Sequence, residues 1–295
     1  MTTRAIISER RQLINLAYRL LGSLAEAEDA VQETYARWYA LPRDQQEAIE
    51  FPSAWLTTVT SRICFNLLGS ARARRERYVG EWLPEPLPDR TEWTGGTPAD
   101  PSDRVTLDES VNMAFLVMLE LMTPAERVAF ILHDVFRYPF AEIAEIVGRT
   151  PAACRQLASS ARRRIRAAQA PATPAVRQAA VVRAFKAAWE AKDVDVLIGL
   201  LDSDATAIAD GGGLATTFLH SIEGAAQIAR AWVEIARRAP RDMTFLERTV
   251  NGRPGLVAQQ NGRTLTVFAF AVADDRIRCI WVVRNPEKLR LWTTG

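Results

Sequence analysis

Five prolines between residues 84 and 101 constrain this chain more than any other feature of its sequence. A proline inside a helix removes a backbone hydrogen bond and clashes with the preceding turn, so prolines at this density exclude a helix. Residues 81–101 are therefore predicted to form an extended linker. Two tryptophans in this linker, Trp82 and Trp93, indicate that part of it docks on another surface.

The linker separates two blocks that are predicted to be helical. In residues 5–80, apolar side chains recur at helical spacing, and a polar loop at 43–51 precedes a long helix. In residues 102–169, a TPAE capping box begins at Thr123 and places proline at the first helical position. A GRT turn at 148–150 then joins two short helices, of which the second is rich in arginine. This is the pattern of a helix-turn-helix.

The pattern changes from about residue 176 onwards. Two predicted helices precede the β-rich runs LVAQQ, TLTVFAFAVA and RIRCIWVVR, and the dipeptides Asn261-Gly262 and Asp274-Asp275 between these runs are hairpin signals. Helices followed by a curved antiparallel sheet predict an α+β arrangement. The predicted fold class is therefore multidomain, with two all-α helical domains followed by a C-terminal α+β domain.

The distribution of charge indicates two kinds of partner. The net charge is only +2, but residues 149–168 hold six arginines and no acid. Residues 81–109 hold eight acids against two arginines. A basic helix of this kind indicates a nucleic-acid partner, and the acidic linker indicates a different one.

Cysteines, histidines and hydropathy exclude several other classes of protein. The three cysteines are widely spaced and odd in number, which predicts buried, reduced thiols in the cytoplasm. With two histidines and no CxxC, neither a metal site nor another cofactor is expected. No apolar run approaches the roughly 20 residues that span a bilayer, and the N-terminus lacks a secretory signal, so no membrane partner is expected.

Residues 1–170 resemble the extracytoplasmic-function (ECF) sigma factors, which keep only the sigma-2 and sigma-4 domains. The segment AYRLLGSLAEAEDAVQETYARW is similar to the sigma-2 helix that binds core RNA polymerase. The resemblance implies that Asp29, Gln32 and Glu33 contact the clamp coiled coil of the polymerase. These three residues share one side of a helix, since positions three and four apart are neighbours.

The same resemblance implies promoter DNA as the second partner. Residues 52–77 are similar to the helix that recognises and opens the −10 element. Residues 123–168 are similar to sigma-4, which binds the −35 element and the polymerase flap. The pocket for flipped bases that strand opening requires is expected in the 43–51 loop.

Arginine and amide side chains on these two helices are the candidate DNA contacts. Arg62 and Asn66 lie four residues apart and are predicted to share a DNA-facing surface. Arg155 and Gln156, near the start of the recognition helix, are the candidate base readers, arginine for guanine and glutamine for adenine. The remaining candidates are suited to phosphate contacts. They are Arg72, Arg74, Arg75, Arg149, Arg162 and Arg163.

The C-terminal part resembles a SnoaL-like domain of the NTF2-like superfamily, a cone-shaped α+β fold. One subgroup of ECF sigma factors carries this fusion together with three short motifs. Here these motifs are Trp82-Leu83-Pro84-Glu85-Pro86, Asp210-Gly211-Gly212-Gly213 and Asn285-Pro286-Glu287-Lys288-Leu289. The chain departs from the subgroup just after the glycines, where Leu214-Ala215 stands in place of Lys-Val. We expect the 82–87 segment to pack near the Asp210 turn and to have a regulatory role.

The resulting domain prediction has four parts. They are sigma-2 at 1–80, the linker at 81–101, sigma-4 at 102–170 and the SnoaL-like regulatory domain at 171–295. The predicted function is that of an alternative sigma factor, which is no enzyme and is modulated by its own C-terminal domain.

Two alternatives stay open at this point. One is a helix-turn-helix regulator that senses an unidentified small ligand through the C-terminal domain. The other is a SnoaL-like isomerase or hydrolase with a DNA-binding extension, in which Asp210 and His220 would be the acid–base pair.

Overall fold

The computed structural model describes residues 3–75, 78–89, 111–168 and 173–292, with the side chains of 3–8, 71–75 and 168 outside that description. The chain forms two compact units. Among the described residues, the helical unit comprises 3–75 and 115–168, and the C-terminal unit comprises 78–89, 111–114 and 173–292. The described part of the linker thus belongs to the C-terminal unit.

Up to Ala191, the described residues form nine α-helices and one π-helical segment. Their bounds are α1 Thr3–Leu21, α2 Leu24–Ala40, α3 Arg43–Ala48, α4 Pro52–Arg75, α5 Met113–Glu120, α6 Pro124–Phe130, the π-helical Ile131–Val135, α7 Phe140–Val147, α8 Pro151–Ala168 and α9 Ala175–Ala191. The helix α3 corrects the prediction of a polar loop at 43–51. Its side chains are mostly exposed and none is buried, so it has no apolar periodicity by which a sequence pattern could reveal it.

In the helical unit, α1, α2 and α4 pack around a shared apolar core. Leu13, Leu20 and Leu56 are almost fully buried there. A buried hydrogen bond of 2.9 Å joins the hydroxyls of Thr34 on α2 and Thr60 on α4. Each hydroxyl also lies within hydrogen-bonding distance of the carbonyl four residues before it, so each buried hydroxyl has an acceptor for its one proton.

The helix-turn-helix prediction is confirmed in α7 and α8. Gly148 ends α7 in the left-handed conformation with φ 68°, which costs glycine nothing. The capping box of α6 is also present, with the side chains of Thr123 and Glu126 bonding each other's backbone N–H. Cys154 and Ala158 are fully buried between the helices, so the arginines of α8 lie on its outer side.

The C-terminal unit combines helices with one six-stranded sheet. After α9 come α10 Val194–Leu200, β1 Leu201–Asp210, β2 Ile222–Glu223, α11 Ala225–Arg238, β3 Met243–Val250, β4 Arg253–Gln260, β5 Arg263–Ala273 and β6 Arg276–Val283. The strand order is β2-β1-β6-β5-β4-β3. Hairpin turns with positive φ at Asn261 and Asp274 confirm the two hairpin signals.

The sheet is mixed, which corrects the expectation of a wholly antiparallel one. Strands β1 and β6 pair in parallel, and the other neighbours pair antiparallel. The parallel pair joins the first and last strands, which have a long connection between them, as parallel pairing requires. Helices α9, α10 and α11 supply apolar faces to the core, so the α+β class itself is confirmed.

Aromatic rings fill the core of the C-terminal unit. Phe185, Trp189 and Trp232 are buried and lie within about 6.3 Å of one another, centroid to centroid. Phe268 and Phe270 continue this cluster from β5. Among the described residues, no helix has both the length and the apolar character needed to cross a lipid bilayer.

Candidate functional site

Residues 78–89, which we call the strap, lie along the surface of the C-terminal unit. Residues 83–88 are all buried. Prolines at 84, 86 and 88 keep the segment extended and leave backbone N–H groups only at 83, 85 and 87 of that run. A buried N–H group needs an acceptor, so the C-terminal unit has to supply one for each.

Asp210, the last residue of β1, holds the first half of the strap. Its side chain is completely buried. Its carboxylate accepts hydrogen bonds from the Tyr78 hydroxyl at 2.6 Å, the Leu83 N–H at 2.9 Å and the Gly212 N–H at 3.0 Å. Lys288 Nζ donates to the same carboxylate at 2.7 Å and is the fourth of these hydrogen-bond donors around it.

Lys288 supplies the cation that a buried carboxylate requires. It lies in a 3₁₀ turn, Pro286–Lys288, and its side chain is 10% exposed. Its ammonium also donates to the Leu83 carbonyl and lies 4.0 Å from the centre of the Trp82 ring. The chain therefore brings a lysine to Asp210 from the last motif, although the position after the glycines holds Leu214.

The glycines after Asp210 are required by close backbone approach. A Cβ at Gly211 would lie 2.3 Å from the Ala215 carbonyl oxygen. Gly212 has φ 61°, and a Cβ there would lie 2.4 Å from Asn285 Nδ2. The same Nδ2 donates to the Tyr78 hydroxyl at 2.8 Å. Burial and the bond to Asp210 together raise the pKa of Tyr78 far above its usual range, which keeps the hydroxyl protonated as a donor.

The second half of the strap is held by Trp292 and by Asn251, which lies in the turn between β3 and β4. Trp292 Nε1 donates to the Pro86 carbonyl at 2.8 Å. The side-chain oxygen of Asn251 accepts from the Leu87 N–H at 3.0 Å, and the Asn251 N–H donates to the Leu87 carbonyl at 2.8 Å. Pro88 forms a single antiparallel bridge with Val250, the last residue of the edge strand β3.

The three sequence motifs thus meet in one place. Glu85 is 3% exposed and Leu289 is 2% exposed. Tyr78, Asn251 and Trp292 also hold the strap, and no sequence motif singled them out. His220 is exposed, whereas Asp210 is buried and its carboxylate oxygens are occupied by the strap and Lys288.

The residues predicted to bind polymerase lie together on the surface of the helical unit. Asp29, Gln32 and Glu33 are all exposed on α2. Glu33 forms an ion pair with Arg37 one turn later. Pairs of this kind on an exposed helix contribute little to stability, so these carboxylates are available to a partner.

The candidate DNA contacts on α4 lie near the helix-turn-helix. Arg62 and Asn66 are exposed. Arg62 Nη2 donates to the Glu145 carbonyl of α7 at 3.2 Å. The backbone of Arg72, Arg74 and Arg75 is helical, and their side chains lie outside the described residues.

The candidate contacts around α8 are mostly exposed. Arg149, Arg155, Gln156 and Arg163 are exposed. The Arg155 guanidinium lies 5.4 Å from the centre of the Phe140 ring. Arg162 differs from the others because it is half-buried and its Nε donates to Asp134 at 2.7 Å.

Comparison with known proteins identifies both helical blocks. Residues 6–74 match the model of Sigma-70 region 2, and residues 112–165 match Sigma-70, region 4. The chain is 37% identical to the ECF RNA polymerase sigma factor SigJ of Mycobacterium tuberculosis over 95% of its own length and 90% of that protein. It is 34% identical to the probable ECF sigma factor SigI of the same organism, covering 96% of this chain and 92% of SigI. The crystal structure of M. tuberculosis SigJ superposes with a TM-score of 0.78 at 34% identity, covering 98% of this chain and 99% of SigJ.

Proposed function

Because this chain belongs to the ECF RNA polymerase sigma factors and acts as an alternative sigma factor, we propose specific roles for its surfaces. In this proposal α2 binds the polymerase clamp, α4 reads and opens the −10 element, and α8 reads the −35 element. The exposed acidic and amide group on α2 supports the first role. Run-off transcription with core polymerase and a cognate promoter tests the whole assignment.

The base readers and the phosphate contacts of α8 should be separable by mutation. We expect Arg155→Ala to relax sequence preference at one base pair of the −35 element by about 1–3 kcal/mol. The Phe140 ring beside Arg155 supports this role, since stacking orients a guanidinium for bidentate bonding. Arg163→Ala should instead weaken binding to all sequences alike and lower the salt slope by about one.

Binding measured across single-base promoter variants at several salt concentrations compares these two mutants. Identical profiles for Arg155→Ala and Arg163→Ala would contradict the separation of roles.

Contacts within the helical unit suggest that the free protein is held inactive. Helix α4 packs against α6 and α7, and Arg62 is engaged with the Glu145 carbonyl. Arg127 of α6 is 3% exposed and donates to the Leu20 carbonyl and to Glu120. Burial lowers the pKa of Arg127 to about 9. Moving region 2 away from region 4 would expose the Arg127 guanidinium to water. This rehydration favours the separation of the two regions when core polymerase offers a competing surface.

The C-terminal domain acts in this proposal as a regulatory domain without catalysis. Its core is packed with aromatic rings, and Asp210 is buried under the strap instead of facing a substrate. The same observations disfavour the isomerase or hydrolase alternative. The ligand-sensing regulator is disfavoured because it has no need of region 2.

The observation that carries the regulatory role is the burial of the strap, which contains the first motif and is held by Asp210 and Lys288 of the other two. We expect Trp82→Ala to loosen the strap by removing the ring beside the Lys288 ammonium, an interaction worth about 0.5–2 kcal/mol. Hydrogen exchange at the Leu83 amide should accelerate by roughly 2–30-fold, and run-off transcription should change with it. Trp82→Phe, which retains an aromatic face, is the matched control. Unaltered exchange and transcription in Trp82→Ala would leave the strap without a regulatory role.

The proposal also covers the path of the acidic linker and the cellular location of the protein. The acids between 81 and 109 suit a path through a basic channel of the polymerase, although residues 90–110 lie outside the described residues. We place the protein in the cytoplasm, where polymerase and promoter DNA are found.

A further inference from the structure

The π-helical turn Ile131–Val135 lies directly before the helix-turn-helix and carries His133 and Asp134. The Phe136 N–H donates to the Ile131 carbonyl at 3.1 Å, five residues back, as a π-helical turn requires. Turns of this kind are rare and occur frequently at functional sites. The two polar side chains of this turn are therefore candidates for a role in DNA recognition.

Asp134 holds the Arg162 guanidinium by one of its three nitrogens. Arg162 Nε donates to Asp134 Oδ1 at 2.7 Å. The side chains of Asp134 and Arg162 are 22% and 32% exposed, so water and salt screen this pair less than a surface ion pair. An arginine has five N–H donors in a rigid planar fork. Because Asp134 takes only the Nε–H, the four N–H groups on the two Nη nitrogens are left for a second acceptor.

His133 supports a different arginine of α8, and it does so through Phe140. The rings of His133 and Phe140 stack with their centroids 4.1 Å apart and 10° between their planes. The Arg155 guanidinium lies 5.4 Å from the centre of the same Phe140 ring. The stacked histidine restricts the motion of the phenylalanine ring, so Arg155 rests on a fixed surface.

The two supports are joined to each other. His133 Nδ1 and Asp134 Oδ2 lie 3.4 Å apart. Both atoms are buried, and neither forms a hydrogen bond within the part of the chain that the structure describes. A shift of either side chain would therefore disturb the other, and with it the arginine that the other supports.

Arg155 and Arg162 lie on the same face of α8. They are seven residues apart, which is two helical turns and about 10 Å along the axis. In a helix-turn-helix, the first residues of the recognition helix reach base edges, and phosphate contacts fix the position of the helix on the duplex. The spacing of these two guanidinium groups therefore determines whether a base contact and a phosphate contact form together.

We propose that His133 and Asp134 are positioning residues for recognition of the −35 element. His133 fixes the base reader Arg155 through the Phe140 ring, and Asp134 orients Arg162 so that its two Nη nitrogens face a DNA phosphate. This inference rests on the proposed function, because it requires α8 to bind the −35 element. A carboxylate close to DNA repels the phosphates, so the benefit of Asp134 comes from the arginine that it orients.

The first test compares Asp134→Ala with Asp134→Asn in the full-length protein, assembled with core polymerase on a promoter duplex. Alanine removes the acceptor of the Arg162 Nε–H, whereas the asparagine side-chain oxygen still accepts it. Asp134→Ala should weaken binding whatever the −35 sequence and lower the salt slope by about one, the value for one lost phosphate contact. Asp134→Asn should keep the wild-type slope.

Charge alone predicts a result of the opposite sign. Both variants remove a negative charge near DNA, which by itself would strengthen binding in both by similar amounts. Glu142→Ala measures this effect, since Glu142 is an exposed acid on α7 in the same region. Asp134→Ala that binds more tightly than wild type, or that matches Glu142→Ala, overturns the role of Asp134.

Arg162→Ala supplies a test that does not depend on an Asp134 variant folding. It should lower the salt slope by about one, and an unchanged slope overturns the role of Asp134. Combining it with Asp134→Ala should weaken binding no further, because Asp134 acts through Arg162. Additive losses in the double variant also overturn that role.

Base preference tests the role of His133. His133→Ala removes the stacked ring and should lower discrimination at the base pair that Arg155→Ala affects by roughly 2–10-fold, the equivalent of one aromatic pair. His133→Phe supplies a ring again and should restore discrimination, and the salt slope should stay at the wild-type value in both variants. A uniform loss across single-base promoter variants overturns the role of His133, because a general structural defect would weaken every sequence alike.

The wild-type protein separates the two levels of failure. If it directs no run-off transcription from its promoter with core polymerase, the proposed function is overturned. If it transcribes normally while Asp134→Ala matches Glu142→Ala and His133→Ala keeps full discrimination, the positioning inference alone is overturned.

Discussion

Asp210→Asn should lower the free energy of unfolding of the C-terminal unit by about 3–5 kcal/mol. The substitution preserves the shape of the side chain but removes its charge, which leaves the Lys288 ammonium buried without a counter-ion. It also weakens the acceptor for Tyr78 and Leu83. Denaturant-dependent hydrogen exchange of β1 and β6 measures the loss within this unit, apart from the helical unit.

Two further variants decide whether charge is the cause. Asp204→Asn makes the same change at an exposed position of the same strand and should fall within about 0.5 kcal/mol of wild type. Asp210→Asn combined with Lys288→Met removes both charges and should recover part of the loss, because an apolar replacement of a buried pair is far less costly than an orphaned partner. A double variant no more stable than Asp210→Asn alone would argue against the ion pair as the source of the effect.

A second large effect is expected at the polymerase surface. Asp29→Arg combined with Gln32→Ala should abolish binding to core polymerase, because it reverses one charge and removes one amide in the centre of the proposed contact. Both side chains are exposed, so the fold should be unaffected. Binding is measured by co-elution with core polymerase and by run-off transcription, and folding by circular dichroism.

The matched control is Asp44→Arg combined with Gln45→Ala on α3. These positions carry the same residue types, are exposed and lie on the neighbouring helix. The control should co-elute with core polymerase normally, and co-elution alone is compared for it, because residues 43–51 are the expected place of the pocket for flipped bases. Wild-type affinity in the α2 double variant, or an equal loss in the α3 control, would remove the assignment of α2 to the polymerase contact.

Local patterns in the sequence determined much of the architecture. Apolar spacing and caps predicted the main helices, the glycine turn at 148 predicted the helix-turn-helix, and the prolines predicted an extended linker at 81–101. Each of these rules acts over a few neighbouring residues, where backbone geometry and capping are decided. They did not reveal α3, whose exposed side chains carry no apolar period.

Only the tertiary structure decided which side chains complete the site. Lys288 reaches Asp210 across 78 residues of sequence, Leu83 reaches it across 127, and Asn251 reaches Val111 across 140. Such pairings depend on which strands lie next to each other, and the parallel pairing of β1 with β6 puts Arg284 and Asn285 within bonding distance of the Asp210 carbonyl. The sequence by itself determined the motifs and their order. Packing determined that they form one buried binding site for the linker, because a buried carboxylate and buried N–H groups must find partners wherever the fold brings them.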